Sequence, residues 1–105
     1  MRTRRLVYRR MAQADLRQIR NWMALRVSPA FARDYLRRIR KRIESLQQAS
    51  ERGTLREDIR PGLRAIGLMP SITVVFVVTT DRVVVFRVLY GGQDWQPVLT
   101  DSDPD

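Results

Sequence analysis

With 105 residues, the chain is long enough for one domain built around a single core. It contains neither cysteine nor histidine, which excludes disulfides, thiol chemistry and the commonest general base and metal ligand. We therefore expect no metal and no cofactor. The net charge is +9, and residues 1–60 carry 17 of the 20 Lys and Arg against 6 acidic residues, so we expect an acidic or polyanionic partner.

All but one of the 20 basic residues are arginine, a residue suited to bidentate binding of carboxylate or phosphate. A GC-rich genome would produce the same bias, and both interpretations stay open. No apolar run approaches the roughly 20 residues needed to cross a bilayer. The apolar stretch after the basic start covers only residues 6–8, whereas a signal peptide needs about 7–15. We expect a cytoplasmic protein with no membrane partner.

The first elements are a short strand over 4–10 and a helix over 12–26. Apolar residues recur on one face of this helix, at Leu16, Ile19, Met23 and Val27, with Trp22 beside them. Asp15, near the helix start, suits the helix dipole.

The next boundary is marked by Ser28-Pro29, a helix N-cap followed by proline at the first helical position. A second helix is predicted from there to about residue 50. Its buried stripe consists of Ala32, Tyr35, Leu36, Ile39, Ile43 and Leu46. Its opposite stripe consists of Arg33, Arg37, Arg40, Lys41 and Glu44. The short link to the first helix predicts an antiparallel helical hairpin.

Three strands are predicted after the polar segment 54–62, over 63–69, 72–79 and 82–89. The last two are joined by two residues and should form a β-hairpin. Both contain runs that are apolar at every position. Such runs indicate burial on both faces, or one face against the helices and the other against a partner.

The element order is therefore β-α-α-β-β-β. The fold class is α+β, with a helical hairpin packed on a small antiparallel sheet. We expect one domain over 1–98. The acidic tail, 99–105, has the composition of a disordered segment.

Several segments, in this order and spacing, resemble the ParE/RelE family of small bacterial toxins. They are Ala14-Asp15-Leu16 with Ile19, Arg60-Pro-Gly-Leu-Arg64, Val74–Val78, Arg87-Val-Leu-Tyr-Gly91 and Asp94. The chain departs from the family pattern at three positions. Phe76 and Val77 stand where the family has a strand Tyr and Arg, and Tyr90 stands where it has a His.

The resemblance implies a type II toxin–antitoxin module. The partner would be a ParD-like antitoxin whose acidic, flexible segment wraps the toxin. Members closest to ParE poison DNA gyrase and block replication, whereas members closest to RelE cut messenger RNA on the ribosome. We favour the gyrase poison. The alternatives are a RelE-like endoribonuclease and a diverged toxin without catalytic activity.

Cleavage of RNA through its 2′-hydroxyl needs a base, a cation for the phosphate and an acid for the leaving oxygen. The residues available for these roles are Arg64, Arg87 and Tyr90. The lost strand cation and the absence of histidine weaken this interpretation. We therefore expect a protein that acts by binding rather than by catalysis.

The residues predicted to contact the antitoxin or the target are Arg60, Arg64, Arg87, Tyr90, Asp94, Trp95, Arg37 and Arg40.

Each has a plainer alternative. Arg87 pairs with a carboxylate such as Asp94, Tyr90 lies at the rim of the core, and Trp95 caps the sheet edge. The other four arginines then only solvate a loop or a helix face. Trp22 and Tyr35 are predicted to pack within the helical hairpin.

Direct nucleic-acid binding is a third hypothesis, supported by the charge of residues 1–60. No helix-turn-helix, RNA-recognition or zinc-finger pattern accompanies that charge, so we do not favour it.

Overall fold

The protein structure, a computed structural model, describes residues 3–91. Its strands are β1 (Arg5–Tyr8), β2 (Thr54–Leu55), β3 (Leu63–Met69), β4 (Ile72–Val78) and β5 (Arg82–Tyr90). Its helices are α1 (Arg10–Arg26) and α2 (Pro29–Glu44), and a 3₁₀ turn (Ser45–Gln47) follows α2. The predictions for Asp94, Trp95 and the tail 99–105 lie outside the described residues.

The junction between the helices is as the sequence predicts. Ser28 adopts an extended conformation, and its hydroxyl accepts a hydrogen bond from the backbone N–H of Phe31 at 3.0 Å. Pro29 begins α2, where its missing N–H has no consequence. Because one helix ends at Arg26 and the next begins at Pro29, Val27 does not extend the buried stripe of α1. Its side chain is exposed.

The second helix is shorter than predicted. It ends at Glu44, and Ser45 begins the 3₁₀ turn. The Ser45 hydroxyl donates to the carbonyl of Arg42, a local bond that competes with helical hydrogen bonding. The predicted core position Leu46 is nevertheless fully buried, because the tighter turn keeps it on the same side. Within residues 3–91, no helix is both long enough and apolar enough to span a bilayer.

The five strands form one sheet in the order β1-β5-β4-β3-β2. The pairings β3–β4 and β4–β5 are antiparallel, as expected, and the pairing β2–β3 is antiparallel too. β1 differs, since it pairs with β5 in parallel, Arg5 opposite Arg82 and Tyr8 opposite Val85. The sheet is therefore mixed. The α+β class and the predicted element order are confirmed, and the short β2 is an addition within a segment expected to be irregular.

The apolar runs of β4 and β5 are buried on both faces. On the helix side, Val74, Phe76, Val83 and Val85 belong to the main core beneath α1 and α2. On the other side, a smaller cluster consists of Leu63, Val75, Phe86 and Leu89. This is the first of the two alternatives that continuous apolarity predicted.

A β-bulge in β5 changes which residues face the helices. Val75 pairs with Arg87 and Phe76 with Val85, so Phe86 is an extra residue in β5. Side chains alternate along a strand, and one extra residue reverses the alternation beyond it. As a result Val88 and Tyr90, rather than Leu89, pack with the helix-side core.

Two glycines with positive φ allow a matched test of the segment before β3. Gly53 has φ +79, and an added Cβ would lie 2.4 Å from the carbonyl oxygen of Ala65. Gly62 has φ +75, and an added Cβ would meet nothing within 4 Å. Gly62→Ala should lower the free energy of unfolding by about 1 kcal/mol, through backbone conformation alone. Gly53→Ala should cost at least about 1 kcal/mol more, because it adds a clash with backbone.

Urea unfolding of the two variants and the wild type measures both quantities. Equal losses in the two variants would show that the close approach of Gly53 to β3 does not affect stability.

Candidate functional site

Within residues 3–91, no strand pairs with the second half of β5 on the side where β1 lies. β1 pairs with residues 82–85, and the Arg9 N–H, just after β1, donates to the Val85 carbonyl at 3.0 Å. Beyond that point α1 lies beside the strand instead of β1. The Val88 N–H donates to the carboxylate of Asp15 on α1 at 2.9 Å. A buried N–H group without such a partner would be costly.

Asp15 also forms a buried ion pair with Arg87. The guanidinium donates through Nε at 2.7 Å and through Nη2 at 2.8 Å to the two carboxylate oxygens. Both side chains are only 8% exposed. One expectation changes here. Asp15 is the sixth residue of α1, beyond the first turn, and serves β5 rather than the helix dipole. Arg87 pairs with the carboxylate of Asp15. Its pairing with Asp94 lies outside the described residues and stays a prediction.

An apolar groove opens next to this ion pair, between α1 and β5, with a volume of about 540 Å³. We call it the α1–β5 groove. It is lined by Asp15, Gln18, Ile19, Asn21, Trp22, Leu25, Val88 and Tyr90. The Trp22 and Tyr90 rings lie 5.1 Å apart, tilted by 49°. Leu25 is 88% exposed and Trp22 40% exposed. Exposed apolar side chains grouped in a groove are typical of a protein-binding surface.

Of the predicted binding residues within 3–91, Tyr90 lines this groove. Sequence reasoning assigned Trp22 to packing within the hairpin, and the structure places it against Tyr90 of the sheet instead. Tyr35 does pack in the hairpin, where it stacks on Phe31 at 5.9 Å. Leu25 was missed. The sequence does carry a signal for it, because Leu25 is an apolar residue of α1 that lies off the predicted buried stripe.

The arginines near the turn before β3 lie elsewhere. The Arg60 guanidinium lies 4.7 Å from the centre of the Phe86 ring, and Arg9 lies 4.2 Å from it. Each is a cation–π contact with an aromatic residue that sequence reasoning did not select. Arg64 donates to the Arg52 carbonyl at 3.3 Å.

The three residues proposed for RNA cleavage are only partly brought together. Arg87 and Tyr90 lie at the same end of β5, whereas Arg64 is on β3, two strands away. Arg64 pairs with Phe76 and Tyr90 with Ile72, a separation of about 13 Å along β4. The charge of Arg87 is balanced by Asp15.

The remaining predicted binding residues, Arg37 and Arg40, are exposed on α2. Arg37 forms an ion pair with Asp34, which also accepts from Arg38. The hydrogen bond from Arg38 lowers the pKa of the Asp34 carboxyl. Burial raises the pKa of the Tyr8 hydroxyl, and the charge of Arg40 opposes that rise. Across residues 3–91, no three carboxylates are grouped as a metal site would require.

The arrangement of a helical hairpin over this sheet matches that of a known class of proteins. Residues 6–95 match the family described as the ParE toxin of the type II toxin–antitoxin system parDE. The match covers most of the chain, which therefore belongs to the ParE toxin family. The resemblance seen in residues 14–94 is confirmed.

A solved structure described as the chromosomal ParDE TA system from P. aeruginosa has the same fold. The TM-score is 0.74 at 24% sequence identity, over 85% of this chain and 97% of that chain. At this identity the comparison supports the fold alone. No curated protein matches the chain closely enough to serve as a relative.

Removing one charge of the buried ion pair should strongly lower the free energy of unfolding. Asp15→Asn removes the negative charge that the buried Arg87 guanidinium faces, and we expect the free energy of unfolding to fall by about 3 kcal/mol. Asp34→Asn is the matched control, because its arginine partners are exposed, and it should leave the unfolding midpoint nearly unchanged.

A double-mutant cycle measures the interaction energy between the two side chains, apart from the cost of changing each one alone. Arg87→Met alone leaves Asp15 buried and charged and should also destabilise strongly. The combined Asp15→Asn, Arg87→Met variant should be much more stable than the sum of the two losses predicts. Additive losses would contradict a direct coupling between the two side chains.

Proposed function

We propose that this toxin acts by binding DNA gyrase, which blocks replication, and that a ParD-like antitoxin neutralises it. The observation that carries the proposal is the α1–β5 groove, an apolar surface in which the Trp22 and Leu25 side chains are exposed. The toxin family supplies the kind of partner, and the groove supplies a place for it. Both partners would be met in the cytoplasm.

The groove supports an antitoxin contact through its chemistry. Trp22 and Leu25 offer apolar area that is exposed in this chain and would be buried by a partner. Gln18 and Asn21 at the rim offer hydrogen-bonding groups. This combination of apolar centre and polar rim is typical of protein interfaces. An acidic antitoxin segment would also be attracted by the net charge of +9.

The positions of the candidate catalytic residues support action by binding rather than by catalysis. Arg87 forms a buried ion pair with Asp15, and Arg64 lies two strands from Tyr90. Histidine, the usual proton carrier, is absent from the sequence. A ribonuclease would need three roles to converge on one phosphate. RelE-like cleavage of messenger RNA and a diverged, inactive toxin remain the alternatives that experiment should separate.

The antitoxin contact can be tested with two exposed leucines. Leu25→Glu places a carboxylate in the α1–β5 groove, where it would have to be desolvated, and should raise the Kd for the antitoxin at least about tenfold. Leu55→Glu is the control, since Leu55 is 48% exposed on β2 and does not line this groove. Titration calorimetry with the antitoxin encoded beside the toxin gene measures both. A larger effect from Leu55→Glu would place the antitoxin elsewhere.

The cellular target can be tested with two assays run on the same toxin preparation. We expect the toxin to inhibit supercoiling by DNA gyrase and to accumulate cleaved DNA, while ribosome-bound messenger RNA stays intact. Trp95→Ala should weaken gyrase inhibition without changing antitoxin affinity, if the segment after β5 contacts the target. Cut messenger RNA with unaffected gyrase would establish the ribonuclease alternative. No response in either assay would indicate a diverged toxin.

A further inference from the structure

A second groove, of about 450 Å³, runs between the two helices. We call it the α1–α2 groove. Its floor includes Leu16 and Leu36, and one carboxylate, Glu44, lies in its wall. Its other lining residues are all cations, namely Arg17, Arg20, Arg33, Arg37, Arg40 and Lys41. Six of the 17 basic residues of the segment 1–60 thus line one concave surface.

Within residues 3–91, most of these cations have no ion-pair partner. Of the six cations, Arg37 alone takes part in an ion pair with another residue of the described range 3–91. Arg33, Arg37 and Lys41 follow one another at four-residue spacing on α2. Like charges at this spacing repel one another along a helix. An anionic ligand in the groove would relieve that repulsion.

The floor of the groove argues against a protein segment as the ligand. Leu16 is 1% exposed and Leu36 is 7% exposed, so little apolar area is left for a partner to bury. In the α1–β5 groove, by contrast, the apolar side chains of Leu25 and Trp22 are exposed. Binding between the helices must therefore depend on charge, and a ligand with closely spaced negative charges fits best.

The spacing and chemistry of the cations fit phosphates. From Arg33 to Lys41 the helix rises about 12 Å, the rise of three to four base pairs of duplex DNA. Arginine binds phosphate oxygens in a bidentate manner. No aromatic side chain is among the described lining residues, so unpaired bases would find no stacking surface here. These features favour a duplex, contacted through its backbone.

We propose that the α1–α2 groove binds the phosphate backbone of double-stranded DNA, without reading its sequence. Phosphate contacts position a protein on a duplex and carry no sequence information. This site is separate from the α1–β5 groove and does not depend on what binds there.

The test is fluorescence anisotropy of the full chain with a labelled, random-sequence DNA duplex between about 50 and 200 mM NaCl. The groove variant is Arg33→Gln, Arg40→Gln, Lys41→Gln. The control variant, Arg5→Gln, Arg10→Gln, Arg82→Gln, removes the same charge from residues that do not line the groove. Each lost phosphate contact lowers the slope of log K against log salt by about 0.9, so the groove variant should lose about 2.7. The slope for the control variant should change by less than about 0.9, the equivalent of one phosphate contact.

Charge-retaining Arg33→Lys, Arg40→Lys should keep the salt slope, which separates loss of charge from any loss of folding. Thermal unfolding of each variant provides the same check. Equal changes in the groove and control variants would overturn the proposal, as would no binding of the duplex at the lowest salt. Single-stranded DNA bound as tightly as the duplex would contradict the choice of ligand. Salt-insensitive capture of an acidic helical peptide, with no DNA binding, would show a protein ligand instead.

Discussion

The bidentate ion pair between Asp15 and Arg87 is the contact on which the rest of the structure depends. It joins α1 to β5 across 72 residues of sequence, and the same carboxylate accepts a hydrogen bond from the Val88 N–H, in the part of β5 that β1 does not pair with. Taking two charges out of water is expensive, so the pair adds little net stability compared with apolar residues of similar size. Its importance lies in orientation, because a displaced α1 would take the Asp15 carboxylate away from both the Arg87 guanidinium and the Val88 N–H.

The bulge at Phe86 and this ion pair together shape the α1–β5 groove. The extra residue turns Tyr90 toward the helices, and the ion pair fixes the helix that carries Trp22. Neither feature alone would bring the two rings together. The groove thus follows from the packing of α1 beside the part of β5 that β1 does not pair with. The surface proposed to bind the antitoxin is therefore formed by the same contacts that hold α1 on the sheet.

Local signals made much of the fold predictable. Ser28-Pro29 fixed the start of α2, and the bounds of β3 follow from its pattern, because caps and alternation depend on neighbouring residues. Non-local features were not predictable. The parallel pairing of β1, the bulge at Phe86 and the partner of Arg87 all depend on contacts between distant segments. A buried Asp and an Asp that favours a helix start look the same in sequence, so the role of Asp15 required the structure.

The pairing of β1 has a consequence for the order in which the protein forms during translation. Of the strands within residues 3–91, β1 is made first, yet its partner there is β5, which is made last. Asp15 likewise waits for Arg87 and Val88. Contacts that close such long loops form late, since their entropic cost precedes their reward. The sheet and the α1–β5 groove are therefore completed only after β5 has left the ribosome, and a nascent chain that ends before β5 has no finished surface to present.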